Sequence, residues 1–523
     1  MGGDSIIGIQ IIAKANQAGL KLTPKQLFQQ QTIAELAAVA VTTTSKEAEQ
    51  GLVKGIVPLT PIQHWFFERN LPEPHHFNQS FLLEVPPNIQ PELLEQALQK
   101  LVYHHDALRL RFVQQAAQWQ QYNSDVCDAV SLAIADLSNL TQAEQSKAIE
   151  LKADEIQRSL NLADGPLLRV VLFNLGKSSP GRLLIVIHHL TVDGISWRIL
   201  LEDLAGAYKQ LDSGNNIELP AKTTSFKDWA IRLQDYASTQ GLHSELDYWL
   251  HSRSFAVAPL PLDFVAVASE NTVGSSQIIS ISLSAEQTRV LLQDVPGAYN
   301  TQINDVLLTA LVQSFAGWTG YDSLLIELEG HGREDLFEDV DLSRTVGWFT
   351  SIFPVCLKLG SLHHPGEALK SVKEQLRRIP NRGIDYGILR YLNPDINKQL
   401  ELLPQAQVSF NYLGQFDQTH LTPLGWKYAQ ESSGSIHSPK GQRRHLLNVN
   451  GLVIEGRLQL EWKYSEAFHH QATVENLADN YVKVLEAIID HCLSPEAGGY
   501  TPSDFPEVGL SQEALDELLA EIE

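Results

Sequence analysis

Leu183-Leu184-Ile185-Val186-Ile187-His188-His189-Leu190-Thr191-Val192-Asp193-Gly194 is an unbroken apolar run that stops at a pair of histidines and then turns at Asp-Gly. A short apolar run without alternation is the pattern of a strand buried on both faces, and here it feeds a loop. Side chains at such strand ends are held by a rigid scaffold, which suits them to chemistry. The dipeptide itself says little, because it recurs at positions 75, 104, 363 and 469. What separates this pair is the strand before it and the nearby Asp193, which can orient an imidazole or pair with an arginine. A histidine so placed can act as acid or base near neutral pH. The alternative is a hydrogen-bonded core histidine beside a turn.

Working outward, Leu94, Ala97, Leu98, Leu101 and Val102 mark the apolar face of a helix. Leu458, Leu460, Trp462 and Tyr464 alternate with Arg457, Gln459, Glu461 and Lys463, predicting a strand buried on one side. A second constellation, Leu328-Glu329-Gly330-His331-Gly332-Arg333-Glu334, follows the apolar segment Leu324 to Ile326. Taken alone it is a polar turn with a salt-bridged glutamate. Glu327 shares the strand face of Glu329 by period-2 counting and is expected to be structural or solvated. Near the start, Gly2-Gly3-Asp4-Ser5 followed by Ile6, Ile9, Ile12 and Ala15 predicts a loop capping an amphipathic helix. Thr32 and Glu35 form a capping-box pattern ahead of Leu36 and Val39. Residues 42–55 lose the periodicity and read as a linker, with a new unit beginning near Val57. Helices and strands are mixed throughout, so the expected fold class is α/β.

The chain has 523 residues, enough for several cores, and a formal net charge of −23, which works against a nucleic-acid partner. No stretch has the length and apolarity of a membrane span, so a cytoplasmic protein is expected. Cys127, Cys356 and Cys492 lack ligand or disulfide spacing and are expected to be three buried thiols; no metal site is predicted. Gly330-His331-Gly332 does not complete a dinucleotide fingerprint, and there is no phosphate-binding loop.

The run from His188 through Asp193-Gly194-Ile195-Ser196-Trp197-Arg198-Ile199-Leu200 resembles the HHxxxDG motif of the condensation-domain superfamily, in the form typical of epimerization domains of nonribosomal peptide synthetases. Glu329 to Glu334 resembles the EGHGRE motif of the same branch. Asp341 to Val355, Asn381 to Gly387 and Ser409 to Gln415 extend the likeness, and GGDSI at Ser5 is similar to the attachment motif of a peptidyl carrier domain. The resemblance implies two chloramphenicol acetyltransferase-like lobes in a V-shaped arrangement, plus a partial helical carrier bundle. It implies a partial carrier at 1–41, a linker at 42–55, lobes at 56–228 and 229–500, and a tail at 501–523. Because the family holds the GGDSI motif inside a domain, the N-terminus is expected to be a cut within a longer chain.

By the same resemblance His189 faces the reaction centre, Asp193 is structural and His188 packs. Glu329 is a catalytic acid/base that condensation domains generally lack. Arg333 is a candidate for positioning a carboxylate or substrate arm, against a salt-bridge alternative, and Asn411 and Tyr412 are candidates near the cleft. Ser5 would carry 4'-phosphopantetheine, whose phosphodiester suits a helix start. The implied activity is epimerization of a carrier-bound aminoacyl or peptidyl thioester, without metal, pyridoxal phosphate or nicotinamide. The partners would be an upstream adenylation domain and a downstream condensation domain or module. The alternatives are a condensation domain and a catalytically silent interaction module. Leu515, Leu518, Leu519 and Ile522 form an apolar stripe in an acidic tail, expected to be a docking helix or a linker.

Overall fold

The computed structural model describes residues 5–22, 26–27, 30, 32–42, 48–116, 118–125, 131–251, 259–265, 267–360, 364–416, 424–505 and 508–522. Helix α1 (Ser5–Gln17) and the short helix α2 (Ile33–Val39) form where the sequence places them. The capping box is present: the Thr32 hydroxyl accepts the Glu35 N–H at 3.2 Å, and the Glu35 carboxylate accepts the Thr32 N–H at 3.0 Å. The next unit is anchored slightly earlier than expected, because Gly55–Val57 already pairs with residues 121–123.

Two sheets organise the rest. The first contains β1 (Asn78–Val85), β2 (Leu132–Asp136), β3 (Leu168–Asn174) and β4 (Gly181–His188), with β4 between β1 and β3. Both of its faces are covered. Leu82, Val171, Phe173, Leu184 and Val186 pack with Ile149, Ala153 and Ile156. Leu83, Val170, Leu183, Ile185 and Ile187 face the main core, which includes α3 (Pro91–His104) and, in its second half, α5 (Gly194–Asp212). The helix bearing Ile149 to Ile156 is α4 (Gln142–Gln157). Double coverage is why the Leu183 to Ile187 run does not alternate.

The second sheet has the order β5-β11-β10-β8-β6-β7, from β5 (Ser276–Ser282), β6 (Ser323–Gly330), β7 (Ser351–Lys358), β8 (Val408–Phe416), β10 (Leu447–Ile454) and β11 (Arg457–Ser465). Strand β9 (Lys427–Tyr428) belongs to the first sheet. Ile326, Val408, Leu447 and Tyr464 lie in register on the core face. There Phe315 of α7 (Ile303–Thr319) and Tyr481 of α8 (Gln471–Leu493) meet Trp462. The other face is polar: Glu327, Ser409, Asn448 and Lys463 form one row across the strands. The strict alternation in 457–464 reflects this two-sided sheet.

β9 pairs antiparallel with β1, and the Asn78 N–H donates to the Ile436 carbonyl at 2.8 Å. The chain of the second half therefore returns to the first sheet, and helix α6 (Phe226–Tyr236) runs through the expected boundary at 228/229. Among the thiols, Cys492 is buried, Cys356 is half-buried rather than buried, and Cys127 lies outside the described residues.

Candidate active site

His189 begins the loop after β4. Its Nδ1 is 2.8 Å from the Val192 carbonyl oxygen, which can only accept, so Nδ1 carries a proton. Its Nε2 is 3.0 Å from Gln79 Nε2, and Gln79 Oε1 accepts the Trp197 indole N–H at 2.8 Å. The ring packs against Trp348 at 4.2 Å and Phe77 at 5.6 Å, and Phe77 stacks on His437 at 4.4 Å. Burial lowers the His189 pKa, and burial with the nearby charge of Lys463 lowers that of His437 further. His188 is spent inside the fold. Its Nδ1 accepts the Leu190 N–H at 3.2 Å, its Nε2 meets the Pro74 carbonyl at 2.9 Å, and burial takes its pKa to about 3.

Glu329 is the next-to-last residue of β6. Its Oε2 accepts the Asn411 amide N–H at 2.8 Å from the neighbouring strand β8. By area its side chain is open to solvent, yet many protein atoms stand around it. That surrounding, with the negative charge of Glu327, pushes its pKa up to about 7. Glu327 is structural: it is buried and contacts His445 at 2.9 Å and Arg444 at 3.3 Å. Burial opposes its ionisation, but His445, Arg444 and Arg69 outweigh burial and lower its pKa. Tyr412 follows Asn411 and so points to the opposite face of β8, where it packs on the apolar core.

Asp193 caps α5, accepting the Ser196 N–H at 2.7 Å, and pairs with Arg333 at 3.2 Å. Arg333 also donates to the Leu342 and Thr345 carbonyls at 2.8 and 2.7 Å and lies 3.9 Å over the Phe349 ring. It is thus the salt-bridged arginine of the two alternatives and is not directed at a substrate arm. Gly332, at φ +66°, has to be glycine, since a Cβ there would fall 1.7 Å from the Phe349 carbonyl oxygen. The result is a buried tie between the loop after His189 and the loop after Glu329. A cleft lined by Trp65, Trp348, Glu327, Tyr386 and Arg444 among others adjoins the site.

The structure thus brings Asn411 to Glu329 and Arg333 to Asp193, and turns Tyr412 away. Gln79, beside His189, and His437, stacked on Phe77, are in segments with no motif and were missed by sequence reasoning; the one hint is the polar Asn78-Gln79-Ser80 at the head of an apolar strand. Ser5 opens α1, and its side chain lies outside the described residues. Among the described residues, His104, His105 and Asp203 have metal-ligand proximity, but Asp203 is already paired with the Arg344 guanidinium, which does not fit a cation there. No helix among the described residues is long and apolar enough to cross a membrane.

Residues 53–507 match the family model of the condensation domain. The chain belongs to the condensation-domain family. Ahead of this condensation-family region, residues 1–40 match the phosphopantetheine attachment site. The chain is 50% identical to one of the linear gramicidin synthase proteins of Brevibacillus parabrevis, an alignment covering 100% of this chain and 7% of that protein. It is 49% identical to another protein of the same synthase and organism, covering 100% of this chain and 10% of that protein. The chain therefore spans a tenth or less of the length of these two relatives. Its structure is similar to the crystal structure of the epimerization domain from the third module of tyrocidine synthetase B, with a TM-score of 0.80 and 40% identity. That match covers 86% of this chain and 99% of the other.

Proposed function

We propose that this chain inverts the α-carbon of an L-aminoacyl or peptidyl group held as a phosphopantetheine thioester, yielding an L/D mixture during nonribosomal peptide synthesis. The observation that carries the reading is Glu329, a carboxyl raised to about 7 and held by Asn411, joined to the His189 loop through the buried Asp193–Arg333 pair. A group that titrates near the working pH is suited to take and return a proton. The likeness to a solved epimerization domain supports the same reading.

The two sheets, in this reading, are the cores of two acetyltransferase-like lobes set in a V, with His189 supplied by one and Glu329 by the other. Ser5 begins a 13-residue helix whose free N–H groups suit a phosphodiester, so the position fits the arm. When attached, the arm supplies the thioester that acidifies the α-proton. Glu329 and His189 then work as a proton-transferring pair, and the aromatic wall of Phe77 and Trp348 limits water at His189. The domain acts in the cytoplasm between an adenylation domain and a downstream condensation domain or module. Condensation chemistry would use His189 and leave Glu329 without a task.

Glu329→Gln keeps the size and the Asn411 neighbourhood but cannot exchange a proton. The expected outcome is a folded protein whose L-to-D conversion falls by about 100-fold or more, measured by chiral analysis of the hydrolysed thioester. Conversion at the wild-type rate would assign Glu329 a structural role.

A further inference from the structure

We propose that Gln79 and Trp197 are positioning residues that hold His189 neutral, with Nε2 as an acceptor, so that Glu329 carries the titratable proton of the resting site. The inference rests on the epimerization reading for its catalytic meaning, but its geometry is independent of it.

The donor and acceptor roles follow from two groups with a single option each. The Val192 carbonyl only accepts, so His189 Nδ1 is protonated. The Trp197 indole N–H only donates, so the atom 2.8 Å from it is the Gln79 oxygen. The Gln79 NH₂ is then the group 3.0 Å from His189 Nε2, and it donates to the ring lone pair. Protonating Nε2 would set donor against donor. Turning the Gln79 amide over would relieve that clash and create the same one at Trp197. Trp197 is buried, with its ring edge-on to Phe81 at 4.7 Å, so it does not swing aside.

Burial disfavours the His189 imidazolium, and the one charge acting the other way is that of Asp193. Asp193 faces it from the loop, but that carboxylate is engaged by Arg333 and the Ser196 N–H. His188 on its own loop and His437 interact with it electrostatically, with Arg69 5.5 Å over Phe77 and Lys463 near His437. With Nε2 bare, His189 cannot donate a hydrogen bond to a developing oxyanion, and it can take an α-proton only after the Gln79 amide has left its lone pair. The resting arrangement therefore does not present an imidazolium to the substrate.

The test is selective ¹⁵N labelling of histidine in the full chain, with the His189 signal assigned by its loss in His189→Ala. In the wild type His189 should show a protonated Nδ1 and a bare Nε2 as the pH falls through 6.5, the ordinary value. Gln79→Glu places an acceptor at Nε2 and should raise the titration by about one unit or more above the wild-type position. Trp197→Phe frees the Gln79 amide to turn and should move it the same way by less, which keeps the test open if Gln79→Glu fails to fold. An imidazolium at neutral pH in the wild type, or a titration unmoved by the variants that fold, overturns the proposal. Chiral product analysis on the same samples reports epimerization separately: absent turnover with the expected titrations would sink the activity and leave the lock standing.

Discussion

Glu327 and Glu329 lie on one face of one strand, and the protein gives them opposite charge behaviour. Glu327 is buried among His445, Arg444 and Arg69 and stays ionised. Glu329 is hemmed in by protein, has the charge of Glu327 beside it and only a neutral partner, Asn411, so its carboxyl titrates near neutrality. The wild-type epimerization rate should therefore change with an inflection near pH 7. Glu327→Gln removes the negative charge that raises Glu329 and leaves the cations in place, so the inflection should move to lower pH. A pH–rate profile of both proteins checks this; an unmoved inflection would mean that Glu327 does not tune the site. Glu329 and His189 stood out as candidates in the sequence because each sits in a compact run of unusual residues. Gln79 and His437 did not, because hydrogen bonds and ring stacks between distant segments leave no spacing in the sequence.

Strand β4 and strand β11 show how much an element's surroundings can be read from its pattern. β11 alternates because one face meets the core and the other a polar row, and β4 does not because α4 covers the face that the core leaves. The returning segment was illegible: β9 is two residues long, and pairing across hundreds of residues is set by the tertiary fold. The Asp193–Arg333 pair is a buried tie between the loops that follow the two sheets' strands β4 and β6. Removing one partner strands a buried charge and a helix cap, which costs about 3–5 kcal/mol. Asp193→Ala should thus lower the unfolding free energy by that much in a denaturant titration, and a loss below about 1 kcal/mol would show that the loops are held by other contacts.

At the scale of the whole chain, the tail carries a helix with one buried leucine. The predicted helix forms as α9 (Gln512–Ile522), with Leu515 only 2% exposed and Leu518 at 48%. Leu519 and Ile522 have side chains outside the described residues. One leucine docks on the body, so deleting residues 511–523 should cost about 2 kcal/mol of stability and leave the L-to-D rate unchanged, read by thermal unfolding beside chiral analysis. Loss of epimerization would place the tail in the catalytic machinery. The α/β class and the order of the motifs were legible from end to end, whereas the way the second half crosses into the first sheet needed the structure. The most direct test of the central claim is to fuse an intact carrier to this chain, load it with a defined L-aminoacyl pantetheine, hydrolyse the thioester and measure the D/L ratio. The account predicts an L/D mixture that forms only with Glu329 in place. Recovery of the L-isomer alone from the wild-type chain would contradict it.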